Sequence, residues 1–259
     1  MPKLLAPDQS RSFEEHGIAF PVRVLSADEA FAYRAQCDAL EAQLGGKPRT
    51  VEVRQMHLHF QWAWRLATHE RVLDAAEDLL GPNLLIWATE LFAKHPRDNV
   101  VSIGWHRDGP YMGLAPERTV TAWIALTESR QANGCMQVVR EASRQEKRNR
   151  QPAASDVIDE VSLAAGEMSL HDVFVLHGSG PNLSAEKRVG FAIRFTTPEG
   201  RPHAERPPAI LARGSDRYGY FRLLQPPRED DAEAALAQMR GSARAHLDAT
   251  LENLQRARR

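Results

Sequence analysis

Cysteine is scarce: Cys37 and Cys135 are the only two in 259 residues. That excludes a disulfide framework and a cysteine-built zinc knuckle, leaving two thiols expected to be buried or idle. Net charge is nearly absent as well, since 33 Lys and Arg face 34 Asp and Glu. The long-range positive field that nonspecific nucleic-acid binding draws on is therefore missing. No run of roughly 18 apolar residues occurs, and the opening MPKLLAPDQSRSFEEHG holds no apolar stretch of signal-peptide length. A soluble, cytoplasmic protein without membrane or nucleic-acid partners is expected. Repeats, low-complexity tracts and a Gly-, Ser- or Pro-rich linker are lacking too, so residues 1–259 are read as one domain. The oligomeric state is left open.

What is present divides into helical ends and a strand-rich middle. LSADEAFAYRAQCDALEAQL opens with a capping box, Ser26 with Glu29, and places Ala30, Tyr33, Cys37, Leu40 and Leu44 on one stripe. HERVLDAAEDLL puts Val72, Leu73, Ala76, Leu79 and Leu80 on a face and stops at Gly81-Pro82. An N-terminal helical region to about residue 82 follows from this pattern. A C-terminal helix spans about residues 230–257, with a box-like start from Asp230 to Glu233. Its stripe is Leu236, Met239, Ala243, Leu247, Leu251 and Leu254. Between these ends, NLLIWATELFAKH, VVSIGWH, TVTAWIAL, CMQVVR, GEMSLHDVFVLHG and RVGFAIRF are short and rich in β-branched and aromatic residues. They lie too close together for intervening helices, which favours an antiparallel sandwich or barrel. The basic run Arg140 to Arg150, interrupted by Glu141 and Glu146, reads either as a solvated loop or as a lid over a pocket.

In GWHRDGPYMGL, strand alternation points His106 and Asp108 to one face and Arg107 to the other. An imidazole and a carboxylate so placed suit the two-histidine, one-carboxylate set of iron(II) oxygenases, which leaves coordination positions open. His177 ends the apolar run DVFVLHGSGPN, where Gly178 and Gly180 let the backbone turn close by, and is the candidate third ligand. On these residues alone, His177 as a hydrogen-bonded half-buried imidazole and the His-Asp pair as a turn cap remain open. Arg188 follows the turn GPNLSAEK and begins RVGFAIRF, so a hairpin returns its guanidinium to the same pocket. Its planar fork suits the distal carboxylate of 2-oxoglutarate, with the Ser179 hydroxyl as a second donor. A surface ion pair is the alternative for Arg188.

In their order, WHRDGPYMGL, TVTAWIALTESRQANGCMQVV and GEMSLHDVFVLHGSGPNLSAEKRVGFAIRF resemble the phytanoyl-CoA dioxygenase family of iron(II)/2-oxoglutarate oxygenases. With FEEHGIAFPVRVLSADEA and ARGSDRYGYF, the resemblance covers nearly the whole chain. It implies a mainly β fold with flanking helices around a double-stranded β-helix core, a cupin-like jelly roll. It also implies Fe(II), held by His106, Asp108 and His177, with 2-oxoglutarate and O2 as cosubstrates. By the same likeness Arg188 and Ser179 hold the 5-carboxylate of 2-oxoglutarate, Trp123 lines its pocket and Lys94 makes a polar contact to it. Two departures are Arg107, where the family usually has glutamine, and Arg140-Glu141-Ala142-Ser143, where it commonly has Pro-Gly-Ser-His. Related halogenases replace the carboxylate ligand by a small residue, so Asp108 disfavours halogenation. Hydroxylation of a small molecule, amino-acid-like or a secondary metabolite, is the expected reaction. Desaturation, cyclisation and epimerisation stay open beside it. A non-catalytic metal- or ligand-binding jelly roll and an oxygenase acting on a macromolecule are the competing classes.

For substrate contacts, Glu90 and Lys94 stand four apart on one face of an apolar strand. Glu90 either grips a cationic or hydroxylated substrate or pairs with Lys94 or Arg194 as structure. Arg107, Tyr111, Met112 and Arg213 are further candidates for the substrate pocket. His57 and His59 form a His-x-His pair without a visible third ligand, which favours a cross-strand or pocket-edge role.

Overall fold

Alternation along the central strands sorts their side chains between a helix-covered face and a site-bearing face. The computed structural model describes residues 2–48, 52–114, 119–140, 150–228 and 232–257. Its N-terminal region holds α1 (Pro7–His16), β1 (Ile18–Arg23), α2 (Ala27–Gln43), a 3₁₀ turn at Met56–Leu58, α3 (Gln61–Ala67) and α4 (Glu70–Leu80). Then come β2 (Leu84–Lys94), β3 (Ile103–His106), α5 (Gly109–Met112), β4 (Thr119–Ala125), β5 (Met136–Val139) and β6 (Ile158–Val161). The chain continues through β7 (Glu167–Asp172), β8 (His177–Ser179), β9 (Arg188–Thr196), β10 (Pro208–Arg213), β11 (Arg222–Leu223) and α6 (Ala232–Ala257).

The strands form a seven-stranded sheet, ordered β1-β7-β4-β9-β2-β10-β11, and a four-stranded sheet, ordered β3-β8-β5-β6. Among the described residues only β10 and β11 pair in parallel; the other strand pairs are antiparallel. Trp123, Ala125 and Ala192 of the large sheet pack with Met136, Val138 and Val161 of the small one. The result is a jelly roll of two facing sheets, not a closed barrel. The N-terminal region is helical apart from β1, which joins the large sheet beside β7.

Ser26 caps α2 as expected, accepting from the Glu29 amide while the Glu29 side chain returns to the Ser26 amide. Gly81 ends α4 with a φ of 89°. On β9, Val189, Phe191, Ile193 and Phe195 enter the core beneath the helices, and each such burial stabilises by about 1.5–3 kcal/mol. The alternate residues Arg188, Ala192 and Arg194 face the site cavities. β4 follows the same rule, with Val120, Ala122 and Ile124 in the core and Thr121 and Trp123 on the site face.

Two expectations are corrected here. GEMSLHDVFVLHG is two strands in different sheets, because the Asp172 carboxylate accepts the Phe174 amide (2.8 Å) and turns the chain at that point. The α6 stripe holds through Met239 and Ala243, which are buried, but Leu251 is 49% exposed. The box-like start at Asp230 lies outside the described residues, as do residues 141–149 of the basic run.

Gly190 lies under the Trp123 indole, where an added Cβ would come within 1.9 Å of Cζ2. Only glycine lets that ring lie flat on the site face. Gly190→Ala is therefore expected to cost about 1–3 kcal/mol by overpacking, measurable by urea unfolding. Unchanged stability would show that the indole moves freely.

Candidate metal and cosubstrate site

Strand pairing brings the two histidines together: β3 and β8 are neighbours, with His106 directly opposite His177. Their rings stand 4.2 Å apart between centroids. Each Nδ1 meets the carbonyl two residues earlier, His106 at Gly104 O (2.8 Å) and His177 at Val175 O (2.9 Å). A carbonyl only accepts, so both Nδ1 atoms carry the proton and both Nε2 lone pairs are free for a metal. Asp108 stands two residues past the end of β3, at the N-cap position of α5 but without a capping hydrogen bond. One ligand atom from each of His106, Asp108 and His177 lies within 4.8 Å of the others, the one such cluster found among the described residues.

The protonation states suit coordination, which needs neutral imidazoles and an ionised carboxylate. Burial pushes the Asp108 pKa up, but Arg194, His171, His177 and His106 together outweigh it and hold the group well below its usual range. Thr121 Oγ1 donates to Asp108 Oδ2 (3.2 Å), while Arg194 Nη2 stands 3.9 Å from Oδ1. Burial, aided by His106, pushes His177 down to about 3.

Beside the ligand set lies a small cavity of about 60 Å³, whose wall includes His106, His177, Ser179, Trp123 and Arg188. Arg188 is only 2% exposed, and its Nε meets no acceptor among the described residues. Its guanidinium carbon lies 5.1 Å over the Trp123 ring, a favourable stacking contact that supplies no anion. Burial lowers its pKa to about 10, so it keeps its charge at neutral pH. A buried guanidinium with no anion among the described residues, next to three atoms that could hold a metal, fits the distal carboxylate of 2-oxoglutarate. Lys94 stands opposite Arg188 on β2, a like-charge pairing that needs relief. Its ammonium donates to Ser179 Oγ (2.7 Å), Gly134 O (3.1 Å) and Gly180 O. Burial and Arg188 push its pKa down to about 7. Lys94 thus reaches the cosubstrate cavity through Ser179, not directly as expected, and leaves the Ser179 proton free to donate inward.

A second cavity of about 480 Å³ shares His106, Asp108 and Arg194 with the first. Tyr111 and Met112 line it, and Tyr111 meets His106 edge-on at 6.0 Å. Glu90 is on its wall, yet its oxygens are taken by Arg54 Nε (2.6 Å) and Arg194 Nη1 (3.0 Å) and not by Lys94. Arg107 is a correction: it is 0% exposed, gives a hydrogen bond to Phe174 O and lines neither cavity. Alternation sends it to the opposite side from its neighbours. Arg213 is another, since Asp74 and Glu77 of α4 bind it at 2.7 Å each, away from both cavities. His57 bonds Thr89 (2.9 Å) and His59 bonds Ser242 (2.9 Å), so they serve packing. Sequence reasoning missed Arg54, Thr121 and His171, and it missed His246 and Thr250 of α6, which line the larger cavity. Thr121 was detectable as the residue two before Trp123 on a strand; α6 carried no such signal.

A facial His-Asp-His set in a jelly roll, with a buried arginine behind it, defines the class of non-haem iron, 2-oxoglutarate-dependent oxygenases. Residues 13–190 match the family described as phytanoyl-CoA dioxygenase (PhyH), and the chain belongs to that family. The structure of a non-heme monooxygenase, ThoJ in its apo form, superposes with a TM-score of 0.83 at 31% identity, covering 96% of this chain and 100% of that one. The probable alpha-ketoglutarate-dependent hypophosphite dioxygenase of Stutzerimonas stutzeri is 25% identical over 168 residues, 58% of each chain. The ectoine dioxygenase of Halomonas elongata is 26% identical over 258 residues, covering 82% of this chain and 77% of that one. No described helix is long and apolar enough to cross a membrane.

Arg188→Ala is expected to weaken 2-oxoglutarate binding by about a hundredfold, the equivalent of two charge-assisted hydrogen bonds at roughly 1.5 kcal/mol each. Iron affinity should change less than twofold. Calorimetric titration of each ligand checks this, and an unaltered 2-oxoglutarate affinity would remove Arg188 from the site.

Proposed function

We propose that this chain hydroxylates an unactivated C–H bond of a small molecule. In this reading Fe(II) is held by His106, Asp108 and His177, and 2-oxoglutarate by Arg188 and Ser179. The observation that carries the reading is the buried Arg188 guanidinium, without an anion among the described residues, facing the same small cavity as the three ligand atoms. When bound, iron with 2-oxoglutarate and O2 supplies an oxidant able to take hydrogen from an unactivated carbon, with succinate and CO2 released.

This chain's residues divide the remaining work. Arg188 and Ser179 orient the cosubstrate, and Trp123 covers Arg188 so that water does not compete for it. Lys94 fixes the Ser179 hydroxyl. The larger cavity would receive the substrate, and His106 and Asp108, which line both cavities, would hold the metal between cosubstrate and substrate. Asp108 supplies the carboxylate ligand, which favours oxygen insertion over halide transfer. No excess of positive charge supports a nucleic-acid substrate.

Anaerobic addition of Fe(II) and 2-oxoglutarate is expected to produce a visible metal-to-ligand charge-transfer band, and a substrate screen should reveal coupled succinate release. Under ¹⁸O₂ the product should gain one labelled oxygen. Asp108→Ala should abolish both succinate release and product, and turnover like that of the wild type in this variant would reject the ligand assignment. Absence of iron-dependent succinate formation in the wild type would leave a ligand-binding jelly roll.

A further inference from the structure

The larger cavity has its own chemistry. Trp87, Phe92, Trp105 and Tyr111 give it flat apolar walls. The charged side chains on it are Arg54, Glu90, Asp108 and Arg194. Asp108 is committed to the metal, and Glu90 spends both oxygens on the two arginines. Arg194 is compensated on two sides, by Glu90 and by Asp108 at 3.9 Å. Arg54 meets Glu90 through Nε alone; its Nη groups have no acceptor among the described residues and are left over as donors.

His246 of α6 adds a second donor. Gln55 Nε2 donates to Trp87 O (3.4 Å), which fixes which end of the Gln55 amide faces inward. The same Nε2 lies 3.0 Å from His246 Nδ1, so that nitrogen must accept and the ring proton sits on Nε2. Nε2–H has no acceptor among the described residues. Burial, then the nearby charges of Arg54 and Arg194, hold this imidazole neutral by pushing its pKa to about 3. Gln55 does this from a left-handed backbone, φ 57°, a conformation rare outside glycine and one that gathers at functional sites. α6 is fastened on both sides of the cavity wall, by Ser242 to His59 (2.9 Å) and by Asn253 to Tyr111 O (3.3 Å).

We propose that this cavity binds a small organic anion with a flat aromatic body, its acidic group received by the Nη groups of Arg54 and the Nε2–H of His246. The inference rests on the oxygenase reading, which puts the metal at one end of the cavity. It departs from a cation held by Glu90, because that carboxylate has no oxygen left over.

The test uses protein loaded with Fe(II) and saturating 2-oxoglutarate without O2, so that the Arg188 site is filled. Indole-3-acetate, indole-3-acetamide and tryptamine carry one ring with an anionic, neutral or cationic head, and each is titrated calorimetrically. Indole-3-acetate is expected to bind at least tenfold tighter than the amide, and tryptamine more weakly than both. In Arg54→Gln and, separately, His246→Phe, the preference for the acid should fall below threefold. The charge-transfer band, formed by groups that neither variant replaces, reports that each is folded. Equal affinities, a preference for tryptamine, no binding of the acid, or a preference that survives both substitutions would each overturn the assignment. Loss of the band in wild-type protein would instead count against the oxygenase reading itself.

Discussion

Two guanidiniums, Arg188 and Arg194, lie six residues apart on the site face of one central strand, and both are withdrawn from water. Burying a charge costs several kcal/mol unless a partner compensates it. For Arg194 the partners are Glu90 and Asp108, so its charge helps keep the Asp108 carboxylate ionised. For Arg188 the described residues provide the Trp123 ring and a hydroxyl neighbour but no anion. One strand thus carries a satisfied cation that organises the site and an unsatisfied one that waits for a ligand. The arrangement of the surrounding residues follows from serving these two charges.

The two sheets divide the task. The small sheet delivers both imidazoles through one antiparallel pair, and backbone carbonyls set the same tautomer in each. The large sheet delivers the charges and the aromatic cover, with the missing side chain at Gly190 making room for the indole. Behind both, the core of the large sheet packs against the helices and holds the strands in register. Strands place most of the cluster: His106, His177 and Arg188 sit on them, and Asp108 stands two residues past β3.

Much of this was legible because it depends on local spacing. The His-x-Asp pair, a histidine ending an apolar run and an arginine opening the next strand are all readable from period-two alternation. The family resemblance then placed Trp123, Ser179 and Lys94. What could not be read was pairing between distant segments. Arg213 looked like a pocket residue until α4 presented Asp74 and Glu77, more than 130 positions earlier. Glu90 showed its face of the strand but not that Arg54 and Arg194 would occupy both oxygens. The run from Gly166 to Gly178 reads as one strand because an Asx turn leaves only a single aspartate as its mark. His246 and Thr250 were hidden by the apolar stripe of their own helix, which describes packing and says nothing about the flank turned to a cavity.

That helix lies beyond the segment shared with the family, which ends at residue 190. His106, Asp108, His177 and Arg188 fall within that matched stretch and Arg194 just past it, while one wall of the larger chamber comes from α6. A side chain exchanged at His246 or Thr250 therefore reshapes the chamber while leaving the His-Asp-His cluster as it is.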